Sequence, residues 1–177
     1  TYGQGTVYQL TPKQDGAWAE HVIQSFNGAD GSQPWAGSLI LDGAGNLYGT
    51  TLLGGRYSSG TVFELTPNAD GSWKESVLHS FQRNGKDGAE PFSALSFDNA
   101  GNLFGTTAGG GTSGYGTVFE LSPRTNGSWK ETVLHSFRDR PGAQPYGGLI
   151  FDEQGNLYGT TSGDDSATFG SVFEIAP

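Results

Sequence analysis

Asp42, Asp98 and Asp152 each open the same pentapeptide, D-x-x-G-N, and a carboxylate recurring at fixed spacing is a first candidate for metal ligation or acid–base work. Calcium, however, takes about six to eight oxygens, and its loops supply several carboxylates where each of these supplies one. The pattern reads better as turn chemistry, in which Asp accepts from backbone two residues on. Asp164 and Asp165 stand together in a later loop as a weaker cation candidate. His79 and His135 hold one equivalent position, where the first unit carries Gln24, and His21 lies elsewhere in its unit; histidines spread in this way do not converge as zinc ligands must. Glu64, Glu75, Glu120, Glu131 and Glu174 recur at fixed positions too, which points to cross-strand pairing with Lys74 or Lys130. With no cysteine and no G-x-S-x-G elbow, nucleophilic catalysis has no visible motif. No catalytic residue, metal site or cofactor is expected.

The elements that carry these residues are repeated. GNLYGTT-type lines start at Gly45, Gly101 and Gly155, spaced 56 and 54 residues apart, and GTVFEL-type lines start at Gly5, Gly60, Gly116 and Gly170. Each unit of such an array is one supersecondary element that buries its apolar face only against neighbours. One grammar runs through it. A short apolar run (38–42, 94–98, 148–152) is strand A, and the D-x-x-G-N turn leads into strand B, GNLYGTT. A glycine-rich loop precedes strand C, GTVFELTP, and an Asn- or Asp-rich turn leads to strand D, such as SWKESVLHSF from Ser72 to Phe81. In strand D, Trp73, Glu75, Val77, His79 and Phe81 point one way and Lys74, Ser76, Leu78 and Ser80 the other, a period of two, and no segment reads as a helix. Gly49, Gly105 and Gly159 inside strand B signal close approach of another backbone.

Four short antiparallel strands per unit predict an all-β fold, a β-propeller-type array of four-stranded blades with about three repeats of 54 to 56 residues. Within one repeat domain, 1–177, residues 1–26 are a half blade (C, D), 27–81 and 82–137 are blades, and 138–177 are a partial blade (A, B, C). Thirteen strand segments are therefore expected, with one C strand in surplus. Pairing the opening C and D with the closing A and B would make a mixed blade and still leave that strand over. The segments Gly5, Thr6, Val7, Tyr8 and Gly170, Ser171, Val172, Phe173 are the candidate assembly strands, because an unpaired strand edge is a template for another chain.

Composition narrows the partners. Eighteen acidic residues against 9 basic give a net charge of −9, which repels a phosphate backbone or an anionic membrane, so nucleic acid is not expected. No apolar run reaches the length of a membrane-spanning helix. Only 34% of the chain is hydrophobic while 30 residues are glycine, a turn-rich balance that suits short strands. There is no methionine, so Thr1 reads as a processed or trimmed end.

The composite of GNLYGTT from Gly45 and Gly155, GNLFGTT from Gly101, glycine-rich loops such as AGGGTSGY from Ala108, and GTVFELTP or GTVFELSP from Gly60 and Gly116 resembles the Gloeo/Verruco (GloVer) tandem repeat across essentially the whole chain. Departures are Tyr8 and Gln9 in the opening GTVYQL and Asp164 and Asp165 where glycines are usual. The resemblance implies a secreted or bacterial cell-surface protein with a β-propeller-like fold and no assigned chemistry. The D-x-x-G-N hairpin also looks like blades of NHL and gluconolactonase-type propellers, a fold-level likeness that transfers no activity.

Aromatics are the remaining candidates for binding. Trp35, Phe92 and Tyr146 each follow a proline in the D-to-A connection, and Tyr57, Tyr115 and Phe169 each precede strand C. Both connections should emerge on one face, where these rings could stack on sugars or bury a partner's side chains, with Arg56, Arg83, Lys86, Arg138 and Arg140 as donors. The competing reading is packing between blades, which also demands an aromatic at the same place in every unit. A non-enzymatic extracellular structural or binding module that self-associates is the leading expectation. The alternatives are a propeller enzyme of lactonase, hydrolase or lyase type and a lectin-like module, with carbohydrate or a surface protein as partner.

Overall fold

The computed structural model describes residues 3–34, 37–139, 142–163 and 169–177. The elements there are strands, with no helix among the described residues. The first sheet pairs β1 (Thr6–Pro12) with β2 (Trp18–Ser25), and the second runs β3 (Ile40–Leu41), β4 (Leu47–Thr51), β5 (Thr61–Pro67), β6 (Trp73–Ser80) in chain order. The third contains β7 (Gly88–Pro91), β8 (Ser96–Phe97), β9 (Leu103–Gly110), β10 (Thr117–Pro123) and β11 (Trp129–Ser136). The fourth runs β12 (Ile150–Phe151), β13 (Leu157–Thr161), β14 (Ser171–Ile175). All ladders between these strands are antiparallel.

Strand A is shorter than expected, two residues in each of β3, β8 and β12. One strand, β7, was not expected. It is the stretch that matches Gly31–Pro34 of the first connection, where Ser32 makes an isolated bridge to Leu53; here it pairs along an extended β9, and the two residues by which this connection is longer lie before Asp87. The opening and closing segments do not join into one mixed sheet: β1–β2 and β12–β14 stay separate.

The core lies between successive sheets rather than within any one. Strand C explains how: along TVFEL, Val62 faces the following sheet and packs with Phe81, Phe119 and Leu121, while Phe63 and Leu65 face the preceding sheet and pack with Val7 and Phe26. The period of two therefore assigns each strand C to two neighbours. The next interface repeats the pattern with Val118 and Phe137 against Phe173 and Ile175. At each, two phenylalanines meet edge to face, Phe26–Phe63 and Phe81–Phe119 at 5.1 Å and Phe137–Phe173 at 5.0 Å, a preferred aromatic geometry.

Strand D does not alternate from end to end as its sequence suggests. In β6 the register slips, Val62 facing His79 and Phe63 facing Val77, so Leu78 is the extra residue of a bulge. The slip reverses the faces beyond it. Trp73 joins the core toward the preceding sheet, and Leu78 and Phe81 join the core toward the following one. The same slip recurs in β1–β2 and β10–β11. One strand thereby holds two neighbours.

The strand B glycine makes room for side chains, not for backbone. A Cβ on Gly49 would stand 2.7 Å from the Phe63 ring and 2.8 Å from Leu39, and one on Gly105 would meet Phe119 and Leu95 at 2.7 and 3.0 Å. The absent side chain is what lets the strand C phenylalanine lie flat in its own sheet.

Candidate functional site

The D-x-x-G-N aspartates are consumed by their turns. Asp42 accepts from the Ala44 and Asn46 amides, the Asn46 side chain and the Tyr48 hydroxyl, all between 2.9 and 3.1 Å. Asp152 repeats this set with Gln154, Asn156 and Tyr158, and Asp98 repeats all but the hydroxyl, because Phe104 replaces the tyrosine. Gly45, Gly101 and Gly155 close the turns at φ of +91°, +85° and +86°. Burial alone would raise the Asp42 carboxyl, but the bonds from Asn46, Ala44 and Tyr48 outweigh it and hold its pKa below the ordinary value. Among the described residues no three of His, Asp and Glu come together as metal ligands would. Asp164 and Asp165 lie outside the described residues.

The two connections expected on one face are knit together there. The Ser32 amide bonds the Leu53 carbonyl at 2.8 Å, and the Gly55 and Gly111 amides bond Gly28 and Asp87 carbonyls at 2.9 and 2.8 Å. Each D-to-A connection enters its proline from a residue in the left-handed region, Gln33, Glu90 and Gln144 at φ of 57°, 58° and 54°, a conformation unusual for non-glycine residues. Neighbouring segments hold it. The amides of these three bond the carbonyls of Gln4, Ser59 and Tyr115 at 2.7, 2.9 and 2.9 Å. The proline then lies on the glycine that opens the preceding strand C: a Cβ on Gly60 or Gly116 would stand 2.5 or 2.8 Å from Pro91 or Pro145 Cδ.

Among the described residues the candidate aromatics on this face do not form one ring. Phe92 and Tyr146 meet edge to face at 5.1 Å, with Tyr146 exposed and Phe92 half-buried. Tyr57 is exposed and carries the Arg56 guanidinium over its ring at 5.4 Å. Tyr115 turns into the core between the third and fourth sheets, while Phe169 is 93% exposed. Trp35 and Arg140 lie outside the described residues. Arg83 is paired with Glu90, and Lys86 borders a shallow hollow with Asp87, Lys130 and Glu131.

Two strand D glutamates, one of them in that hollow, show what the sequence alone did not reveal. Glu75 and Glu131 are not paired with Lys74 or Lys130; each has a buried Oε1 with no hydrogen-bond partner. Burial pushes the Glu75 carboxyl up to about 7, with the Asp30 charge adding to the effect. The Glu131 carboxyl also rises to about 7, through burial first and then Asp87, with His79 acting in the opposite direction. Asp30 and Asp87 are equivalent loop-formers: Asp30 accepts from the Asn27 amide at 2.8 Å, and Asp87 accepts from the Gln82 amide at 2.8 Å and lies 3.1 Å from His79 Nε2. Each aspartate lies in the connection that leads into the sheet holding its glutamate, so only the folded course of that connection brings the two together. His135 takes the same register as His79, opposite Val118, and its imidazole is pushed down by burial and by Arg138.

The Gloeobacter/Verrucomicrobia repeat model matches residues 1–177, the same span over which the strand grammar recurs. The chain belongs to the Gloeobacter/Verrucomicrobia repeat family. No curated protein matches it. In this member of the repeat family, Asp42, Gly49, Thr51, Val62 and Phe63 each have one local task, and each task recurs in the next unit. Thr51 bonds Thr61 across strands B and C at 2.8 Å, as Thr107 bonds Thr117 and Thr161 bonds Ser171. Among the described residues no helix is long and apolar enough to cross a membrane.

Proposed function

We propose that this repeat protein is a non-enzymatic extracellular module of bacterial cell surfaces, a propeller-type array whose work is structural and adhesive and which associates with copies of itself. The observation that carries this reading is that the residues recurring along strands A, B and C and their turns, Asp42, Gly49, Thr51, Val62 and Phe63 with their counterparts, are spent on turns, strand pairing and inter-sheet packing. Hydroxyls that leave their sheet also serve packing: Thr106 Oγ1 donates to the Pro145 or Gly147 carbonyl of the next connection, at 3.0 and 3.1 Å. Sedimentation of the chain across the micromolar range tests the self-association. Concentration-dependent species larger than one chain are expected, and a single species at every concentration would remove that part of the reading.

A second reading, carbohydrate binding, is favoured by one feature, the Phe92–Tyr146 pair with Tyr146 42% exposed on the connection face. A glycan array probed with the native chain and with Tyr146→Ala tests it. Signal lost in the variant supports the reading, and a blank array for both removes it.

A further inference from the structure

Arg56 and Tyr57 have no counterparts in the next repeat. Thr112 and Ser113 hold the matching places before strand C of the third sheet, and Pro141 stands where the D-to-A connection has Asp87. Recurrence marks the residues that the fold needs, so a combination that the next repeat lacks calls for another reason. These side chains meet beside β6, the edge strand of the second sheet. A hollow of about 510 Å³ lies there, lined by Arg56, Tyr57, His79, Ser80, Gln82 and Asp87. Its size falls within the range of small-molecule sites, about 300–1,000 Å³.

The loop that carries the pair is held at several points. Gly54 and Gly55 turn it at φ of +79° and +75°, the Gly55 amide bonds the Gly28 carbonyl at 2.9 Å, and the Arg56 amide bonds Ser80 Oγ at 3.3 Å. Ser59 Oγ donates to the Tyr57 carbonyl at 3.2 Å. Between them Ser58 lies in the left-handed region at φ of 56°, where the loop of the third sheet uses Gly114. Backbone strain of this kind gathers at functional sites. The other side chains of the hollow are equally fixed. His79 Nε2 lies 3.1 Å from Asp87 Oδ2, its ring meets Phe81 edge to face at 4.7 Å, and Asp87 also accepts from the Gln82 amide at 2.8 Å. The Asp87 charge is thus spent inside the protein. Arg56 differs: its guanidinium lies over the exposed Tyr57 ring and, among the described residues, has no carboxylate partner, although the chain carries 18 acids against 9 bases. Arg83, by contrast, pairs with Glu90. A guanidinium held over a ring keeps its N–H fork for a planar anion such as a carboxylate.

We propose that this hollow binds a saccharide bearing a carboxylate, a uronic acid unit, with its ring against Tyr57, its carboxylate on Arg56 and its hydroxyls on Gln82 and His79. A pyranose has an apolar C–H face and a polar rim, and an exposed tyrosine among planar polar groups matches both. Gln82 Oε1 already accepts from Asn84 Nδ2 at 3.1 Å, so its Nε2 is the part left to donate. With Nε2 donating to Asp87, the neutral His79 ring has Nδ1 left as an acceptor. The net charge of −9 repels a dense polyanion, so the occupant carries few charges, and one guanidinium answers one carboxylate. This goes beyond the carbohydrate reading given above, which places a sugar on Phe92 and Tyr146, because neither of those rings lines this hollow.

The test titrates the 177-residue chain with methyl glycosides of glucuronate, galacturonate and mannuronate and with the neutral glycoside of each ring, read by calorimetry and by saturation-transfer NMR. At least one uronide is expected to bind about tenfold or more tightly than its neutral partner, the scale of a charge-assisted hydrogen bond. That preference should shrink as salt is raised. Arg56→Ala should abolish the preference, and Tyr57→Ala should weaken both sugars of the pair about tenfold, as loss of an aromatic anchor does. Both positions are exposed, so both variants should keep the native melting temperature. Tyr146→Ala should leave uronide binding unchanged. Equal binding of a uronide and its neutral partner would overturn the carboxylate assignment. Binding indifferent to Arg56→Ala and Tyr57→Ala, or lost in Tyr146→Ala, would overturn this site while leaving the reading based on Phe92 and Tyr146 standing. A chain that binds no uronide would overturn the proposal, whatever neutral sugars it takes.

Discussion

Glu75 and Glu131 make this protein lose stability as the pH rises through neutrality. Both carboxyls sit at about 7 in the folded state against an ordinary value of 4.5. A folded-state pKa above the unfolded one means that the native protein holds the proton more tightly, so the contribution is complete below pH 4.5 and is lost as pH rises through 7. Full conversion of that difference gives an upper limit of about 3 kcal/mol for each group. Both side chains are partly exposed, and solvent screening brings the figure to about 1 kcal/mol each. The groups facing them are Asp30 for Glu75, and Asp87 and His79 for Glu131, with Lys86 and Lys130 lining the hollow beside Glu131. The perturbation is Glu75→Gln with Glu131→Gln, which keeps shape and removes ionisation. Thermal melts at pH 4.5 and pH 8 should nearly coincide for the native and doubly substituted chains at the lower pH. At pH 8 the double variant should melt higher by about 5 °C, taking about 2–4 °C per kcal/mol for a chain of this size. Equal pH slopes for the two proteins between pH 5 and 8 would refute the reasoning, because no other change in the variant offsets a lost titration.

Three further outcomes follow from the packing. Phe119→Ala removes a fully buried ring and its edge-to-face contact with Phe81, and should cost about 3–5 kcal/mol in denaturant unfolding. Gly60→Ala places a Cβ against Pro91 at a φ of +98°, whereas Gly71→Ala has a similar φ but open space around it. Chemical denaturation should rank the first as the more damaging, by about 1–3 kcal/mol over the second. Asp42→Ala strips four donors of their acceptor and should lower stability by about 1–3 kcal/mol, while Asp42→Asn should lose less, both read by thermal melting.

Much of the fold was legible because period and turn chemistry are local. Asp42 through Asn46 forms its turn from its own residues, and the alternation along Thr61–Leu65 states which side chains face which way. What stayed hidden depended on counting across a defect or across sheets. The bulge at Leu78 shifts Phe81 to the face opposite Trp73, and a uniform alternation gives no sign of it. β7 is formed by Gly88–Pro91, whose counterparts Gly31–Pro34 make only a single bridge, so its sequence carries no mark of a strand. The Glu75–Asp30 and Glu131–Asp87 encounters join a strand D to a connection about 45 positions earlier; the sequence showed recurrent acids, and pairing with the adjacent lysines was the nearest inference. Of the aromatics, repetition correctly flagged equivalent places, but equivalence in sequence did not give equivalent exposure, as Tyr57, Tyr115 and Phe169 demonstrate.

The division of labour along strand C, with Val62 serving the following sheet and Phe63 and Leu65 the preceding one, gives the stack a direction. A two-fold axis would bring like faces together, small valine against valine or ring against ring, and neither pairing reproduces the fit of small residue into aromatic that every internal contact uses. Mirror-like dimers are thus disfavoured by the same residues that build the core. A stack so polarised presents different chemistry on the two faces of every sheet, so a ligand selective for the valine-bearing face has no reason to recognise the ring-bearing one.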